Sequence, residues 1–368
     1  MSEPVRVLHI FGALNPGGVE TFVMNLYRCI DREKVQFDFA LTEGKRSFFD
    51  TEAESLGARL FYFDTKKCMM RKLSEIFEKQ GPFAAMHSHV YFYSGAVLRN
   101  AAHHGIPVRI AHAHNTSFGQ RYTLNRKCYE WLMRKLILKH ATHMFGCSMD
   151  ACEFVFGEGI MQDSRCRVVH NGFDVEAYQF DKEKRGAIRR QYGIGDDQLV
   201  VGHVGRFEEQ KNHTQLVEQF SIVHKKDPET VLLMVGRGSL MNSIKKKCDN
   251  IGILDSCIFA GAQKDTPAYY SAMDVFLFPS LYEGLGSVLI EAQANGLHCI
   301  TSKNVVPKEV DITGNVSFFS LDSSPNYWAE AVLSAKRETT CESNNVVKRF
   351  YDMHQIAMEL CALYQEKG

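Results

Sequence analysis

The chain has 368 residues, 45% of them apolar and 23% charged, the proportions of a folded globular protein and not of a disordered or low-complexity one. At roughly 150 residues per domain this length predicts two domains, each able to bury its own core. Lysine plus arginine and aspartate plus glutamate both number 43, so there is no global footprint for nucleic acid and any basic surface has to be local.

The N-terminus, MSEPVRVLHIF, carries Glu3 and passes at once into a strand-like run, so no cleavable leader is expected and the chain is expected to stay in the cytoplasm. Strand-like runs at 5–10, 37–41, 59–63, 84–90, 108–114, 142–148 and 167–172 alternate with segments of helical period. That βαβ repetition predicts a parallel sheet with helices on both faces. A polar stretch at 181–198 is the candidate boundary. A second series follows, with strands at 199–205, 231–236, 257–262, 274–280 and 298–302. Beyond 344, apolar residues at Val347, Phe350, Met353, Ala357, Leu360 and Tyr364 recur every three or four positions, which predicts one amphipathic terminal helix. The predicted fold is α/β, with two doubly wound Rossmann-like domains, 1–178 and 179–345, and 346–368 packing back on the first. Open parallel sheets bind ligands at the carboxyl ends of their strands, so a cleft where two such edges face one another is the expected site. Apolar runs of about five residues, such as 231–235, fall far short of the roughly 20 that span a bilayer. The eleven cysteines include no C-x-x-C pair and are expected as reduced thiols, neither a zinc site nor a disulfide framework.

Several segments carry candidate chemistry. After the first strand, Asn15, Pro16, Gly17 and Gly18 precede a helix, and two glycines let a ligand approach helix amides closely. A turn requiring positive φ explains them equally well. After the strand at 199–205, Arg206 and Lys211 can bracket a diphosphate, one as a fork and one as a mobile point charge. The alternative is an ion-pair cluster with Glu208 and Glu209. In the stretch 279–302, Glu283 sits at a glycine-bearing turn and Glu291 within the following helix. One carboxylate suits sugar hydroxyls and the other a ribose diol, with the free amides at 286–288 facing a diphosphate between them. The segment 121–140 carries Arg121, Arg126, Lys127, Arg134, Lys135 and Lys139 among Trp131 and several leucines, which suits an anionic membrane surface or simply a solvated helix face.

The elements GGVE (17–20), HNGFD (170–174), VGRFEEQKNH (204–213), LMVGRG (233–238) and PSLYEGLGSVLIEAQANG (279–296) resemble the retaining, nucleotide-sugar-dependent glycosyltransferases of GT-B architecture, family 4 and group 1. More narrowly they resemble the bacterial members that build capsular and exopolysaccharide repeat units. The resemblance implies a nucleoside-diphosphate sugar donor, UDP-linked, as substrate, with no separate cofactor. It implies a glycan or lipid-linked saccharide as acceptor; contact at the inner face of the membrane is the expectation from the basic segment 121–140, and the balanced charge argues against nucleic acid. By it, Arg206 and Lys211 hold the diphosphate, Glu283 contacts the transferred sugar and Glu291 the ribose, while Gly17, Gly18, Gly284, Leu285, Gly286 and Ser287 line the donor. The family also uses a histidine at a first-domain strand end; His114 is preferred to His112, and His87 or His89 can reach the acceptor, although each is also readable as a packed or exposed ring. Two positions depart from the pattern, Arg237 where an acidic residue is frequent and Asn212 where glycine is common. No D-x-D sequence is present for a bridging metal, so metal-independent transfer with retention is expected. The rival readings are a phosphorylase or epimerase on the same architecture, and a non-catalytic sugar-nucleotide-binding or scaffold protein.

Overall fold

The computed structural model describes residues 3–15, 17–63, 68–114, 123–283, 285–338 and 340–366. Central strands such as Val231–Val235 and Val275–Phe278 are continuously apolar, the pattern of strands covered on both faces, whereas others carry buried polar residues such as His9 and Asp38. They assemble into two parallel sheets in two compact units, 1–173 with 351–368, and 174–350.

In the first unit β1 (Val5–Phe11), β2 (Val35–Leu41), β3 (Arg59–Tyr62), β4 (Ala85–Ser88), β5 (Val108–Ala113), β6 (His143–Gly146) and β7 (Cys166–Val168) lie in the order β3-β2-β1-β4-β5-β6-β7. The chain starts at mid-sheet, works outward to β3, then returns beside β1 and runs the other way. That reversal between β1 and β4 is the topological switch point. One face is closed by Phe22, Leu26 and Tyr27 of the helix Gly18–Cys29 together with Leu360 and Tyr364 near the C-terminus. The other is closed by Val97 and Leu98 of the helix Ser94–His103 and by Met133 and Ile137 of the helix Leu124–His140. Each such fully buried side chain contributes about 1.5–3 kcal/mol.

The second unit repeats the plan with β8 (Val200–Val204), β9 (Val231–Val235), β10 (Cys257–Gly261), β11 (Val275–Phe278), β12 (His298–Ser302) and β13 (Val316–Phe319), ordered β10-β9-β8-β11-β12-β13. Its switch point lies between β8 and β11. The short strand β13 was not among the sequence expectations.

Three further expectations are revised. The polar stretch at 181–198, the candidate boundary, lies inside the second unit and folds as the helix Lys182–Tyr192, capped by the Asp181 side chain, which accepts from the amides of Glu183 and Lys184. Its polarity reflects Arg185 and Arg189, which turn inward onto Asp274 at 2.7 and 2.6 Å. The division between units falls at 173/174 instead of 178/179, and the returning segment begins at Tyr351. Finally, the terminal apolar stripe is split between two helices, Glu342–Tyr351 and Met353–Tyr364, because Asp352 takes extended backbone and caps the second. Val347 is buried within the second unit and Leu360 within the first, while Phe350, next to the break, is 51% exposed. Phe173 and Asp352 form an isolated parallel bridge that seats the returning helix on the first unit. Among the described residues no helix is long and apolar enough to cross a membrane.

Candidate functional site

At the carboxyl edge of the second unit's sheet, the loops after β8 and β11 flank the switch point. The β8 loop passes through Arg206 and a turn at Glu209–Lys211 before Asn212, at φ +51°, starts the helix His213–Lys226. This left-handed backbone is the physical reason glycine suits that position and asparagine is the tolerated substitute. Gly236, at φ +148°, lets the β9 loop pack under this segment, since a Cβ there would lie 1.9 Å from the carbonyl oxygen of Gly205. Gln210 stitches the two loops together: its carbonyl accepts from Leu281 N at 2.8 Å and its side-chain amide donates to the carbonyl of Tyr282 at 2.9 Å.

Lys211 and Glu283 meet across this seam. The ammonium lies 2.5 Å from Glu283 Oε1 and 4.7 Å from the centroid of the Phe278 ring. The Ser280 hydroxyl is 2.6 Å from the same carboxylate oxygen. Arg206 is exposed and makes no ion pair among the described residues. The alternative cluster with Glu208 and Glu209 does not form: Glu208 accepts from the backbone and hydroxyl of Ser239. Arg237 is exposed as well. Gly286, at φ +79°, precedes the helix Ser287–Ala294, whose first amides have no side-chain cap, and Leu285 and Ser287 flank it. Gly284 lies outside the described residues. Beneath the β8 loop the structure adds two residues not singled out from sequence, His203 and His213, both buried, with His213 stacked on Phe207 at 4.0 Å. Burial, reinforced by the Lys211 charge, lowers His213 to about 4.

Glu291 keeps different company. Tyr270, fully buried, donates its hydroxyl to Glu291 Oε2 at 2.9 Å, and Tyr178 lies against the same carboxylate. Burial pushes the Glu291 carboxyl up to about 7, against which the two tyrosine hydrogen bonds work only in part. The two glutamates thus belong to separate polar groups, one paired to a cation and one held among phenols.

In the first unit, Gly17 is the extended N-cap of the helix Gly18–Cys29. Neither Gly17 nor Gly18 has positive φ, which removes the turn explanation. A Cβ at Gly17 would meet Glu20 Oε2 at 2.5 Å, whereas at Gly18 it would meet nothing within 4 Å. The four histidines weighed singly from sequence come together, with His9 of β1 as an unforeseen fifth. His9 Nδ1 is 3.1 Å from His89 Nε2, His89 Nδ1 is 2.9 Å from His114 Nε2, and His87 Nε2 is 3.1 Å from His112 Nδ1. His87 Nδ1 reaches the Tyr364 hydroxyl at 2.7 Å. Burial holds all five rings neutral, with His114 down to about 3, so His114 is not a proton carrier near neutral pH and the packed-ring reading fits it.

The helix Leu124–His140 sorts its cations. Arg134 turns inward and donates to the carbonyls of Val155 and Phe154 at 3.0 and 2.9 Å, and Arg126 pairs with Glu130 at 2.5 Å. Lys127, Lys135 and Lys139 remain exposed, sharing a face with Leu124, Trp131 and Leu132. Arg121 lies outside the described residues.

A model of Glycosyltransferase Family 4 matches residues 16–177, and one of Glycosyl transferases group 1 matches residues 184–349. The chain is 35% identical over 374 residues to EpsF of Bacillus subtilis (strain 168), named for a glycosyltransferase, covering 99% of this chain and 97% of that protein. It is 26% identical over 374 residues to the capsular polysaccharide biosynthesis glycosyltransferase CapH of Staphylococcus aureus, covering 99% of each. Among solved structures, Anabaena HepE in complex with UDP superposes with a TM-score of 0.78 at 15% identity, over 98% of this chain and 99% of that one. At that identity the likeness is one of fold, and the two parallel-sheet units are those of the GT-B architecture.

Proposed function

Because this chain belongs to the glycosyltransferases, a family 4 unit followed by a group 1 unit, we propose that it moves a sugar, with retention, from a UDP-linked donor to a hydroxyl of a glycan or lipid-linked saccharide in capsule or exopolysaccharide synthesis. The observation that carries this reading is the Lys211–Glu283 pair at the β8/β11 switch point, with the unpaired Arg206 on the same loop. Departure of the diphosphate leaves negative charge on its oxygens and positive charge on the sugar ring. An ammonium has three N–H donors and Glu283 takes one, so the pair holds Lys211 in place while its other donors meet the diphosphate. Arg206 adds a fork, and the uncapped amides of Ser287 and Val288 add a positive helix end. Preorganised donors of this kind are individually worth roughly 100- to 1,000-fold in rate.

In this reading Glu283 faces the sugar ring, and Glu291 with Tyr270 takes the ribose diol. Gly18, with open space over it, admits a ligand close to the backbone. The acceptor proton goes to the departing diphosphate, no divalent cation bridges that diphosphate, and His114 takes no proton. The Lys127, Lys135, Trp131 and Leu124 face rests on an anionic membrane that presents the acceptor at its cytoplasmic side. Thermal unfolding with a panel of nucleotide sugars tests the reading. A donor at 100 times its Kd adds about 2.7 kcal/mol. A UDP-sugar should raise the Tm and be turned over without added Mg²⁺ or Mn²⁺; a panel with no stabilising member would overturn the proposal.

A further inference from the structure

We propose that His89, His112 and His114 form a binding site for a borderline divalent transition metal, Zn²⁺ as the type, at the carboxyl ends of β4 and β5. One ring nitrogen from each of the three lies within 4.8 Å of the other two, and all three side chains are buried. Burial keeps the rings neutral, the form that ligates.

Hydrogen bonds on the far side of each ring decide which nitrogens are offered. His89 Nε2 is engaged by His9 Nδ1 and His112 Nδ1 by His87 Nε2, each at 3.1 Å. With those two nitrogens protonated, His9 and His87 are the acceptors, and His87 donates its Nδ1–H to the Tyr364 hydroxyl oxygen at 2.7 Å. His114 lies beside Asn171; its Nδ1 and the Asn171 Oδ1 are both buried and neither makes a hydrogen bond in this geometry. What remains is Nδ1 of His89, Nε2 of His112 and Nε2 of His114. The second of these is buried without a hydrogen bond of good geometry, the Val169 backbone being the polar group recorded beside this ring. Metal-bound imidazoles need a far-side acceptor to fix tautomer and ring orientation; His89 and His112 have one, and the buried Asn171 Oδ1 is the nearby acceptor open to His114.

His89 Nδ1 and His114 Nε2 stand 2.9 Å apart. Zn–N bonds of about 2.0–2.1 Å in tetrahedral geometry need about 3.3 Å between ligand atoms, so this pair opens slightly on binding. A second group, His9, His87 and His89, is also close enough to hold an ion. It lies deeper, with His9 and His87 wholly inaccessible, and its members serve better as the outer shell. The chosen trio ends on His114, at 7% exposure the most accessible of the five, which gives an ion its way in. The sequence expectation of no metal rested on cysteine spacing and on the absence of D-x-D, neither of which reports on histidines brought together from two neighbouring strands.

The test is titration of the metal-stripped full chain with Co²⁺ and Zn²⁺, read by visible absorption and by elemental analysis after dialysis. One retained equivalent with tetrahedral Co²⁺ bands is expected. His112→Gln should abolish it, and His9→Phe, which removes only an outer acceptor, should weaken it 10- to 100-fold. If a ring substitution unfolds the chain, the wild-type titration still decides. Less than a tenth of an equivalent on folded wild-type chain, or Co²⁺ bands unchanged in folded His112→Gln, would overturn the site and leave the close nitrogens as hydrogen bonds between neutral imidazoles.

Discussion

Lys211 and Glu283, 72 residues apart in sequence, stand with Nζ and Oε1 2.5 Å apart, and their side chains are only 14% and 6% exposed. Removing one partner leaves the other charge buried, which costs about 3–5 kcal/mol, whereas removing both does not. Lys211→Ala should therefore lower the urea midpoint sharply and cut kcat at least about 100-fold. Lys211→Ala with Glu283→Ala should regain most of the stability and none of the turnover. Recovery of transfer in the double variant would show that the pair is structural only.

Arg206 offers the complementary experiment, because it is exposed and supports no neighbour through an ion pair. Arg206→Ala should leave the unfolding curve within about 0.5 kcal/mol of wild type. Transfer should still fall by about 100-fold. Near-normal rates would remove Arg206 from the proposed diphosphate site.

Glu291 supplies a pH dependence. With its carboxyl pushed up to about 7 by burial, it is half protonated near neutrality, and only the carboxylate accepts from both ribose hydroxyls. Donor affinity should rise about tenfold between about pH 6 and pH 8, and Glu291→Gln should flatten that profile. Stability runs the opposite way: the folded chain binds the extra proton between 4.5 and about 7, so this group's contribution falls as pH rises through that window. A donor Kd independent of pH in wild type would refute the ribose assignment.

The exposed face of Lys127, Trp131 and Lys135 predicts vesicle binding. Each cation near an anionic surface is worth about 1 kcal/mol, so Lys127→Ala with Lys135→Ala should lower partition onto anionic vesicles by roughly thirtyfold. Arg134→Ala should act through stability instead, since its guanidinium caps the carbonyls of Phe154 and Val155. Sedimentation with neutral and anionic vesicles separates the two effects; equal binding to both lipids would refute the electrostatic reading.

Asn212, held at φ +51°, should tolerate glycine and resist alanine. Asn212→Ala is expected to cost about 1 kcal/mol and Asn212→Gly close to nothing, measured by chemical denaturation. Equal losses in the two would mean that the side-chain bond to Gln215, and not the backbone angle, governs the position.

Twelve of the thirteen strands were legible because a parallel strand is a local apolar run. The exception, β13, is four residues long and follows a Gly-Asn turn. The helix Lys182–Tyr192 reads from sequence as a candidate boundary because arginine counts as polar wherever it points, and only the fold shows Arg189 at 1% exposure against Asp274. Arg206, Lys211, Glu283 and Glu291 could be selected from their motifs. That Lys211 would pair with Glu283, and Glu291 with Tyr270, depends on which strands become neighbours. The same reason hides His9: nothing in a lone histidine at a strand's centre announces two others on the neighbouring strand and two more on the one beyond.

The bridge between Phe173 and Asp352 also bears on how the chain is made. The first sheet's hydrophobic interior is completed by Met353, Leu360 and Tyr364, which follow the whole second unit in the chain. The segment that emerges first must therefore wait, incompletely closed, while the later unit is synthesised and folds on its own. The returning segment from Tyr351 acts as a latch, and translation stopped before it would release a species with its apolar interior open to aggregation.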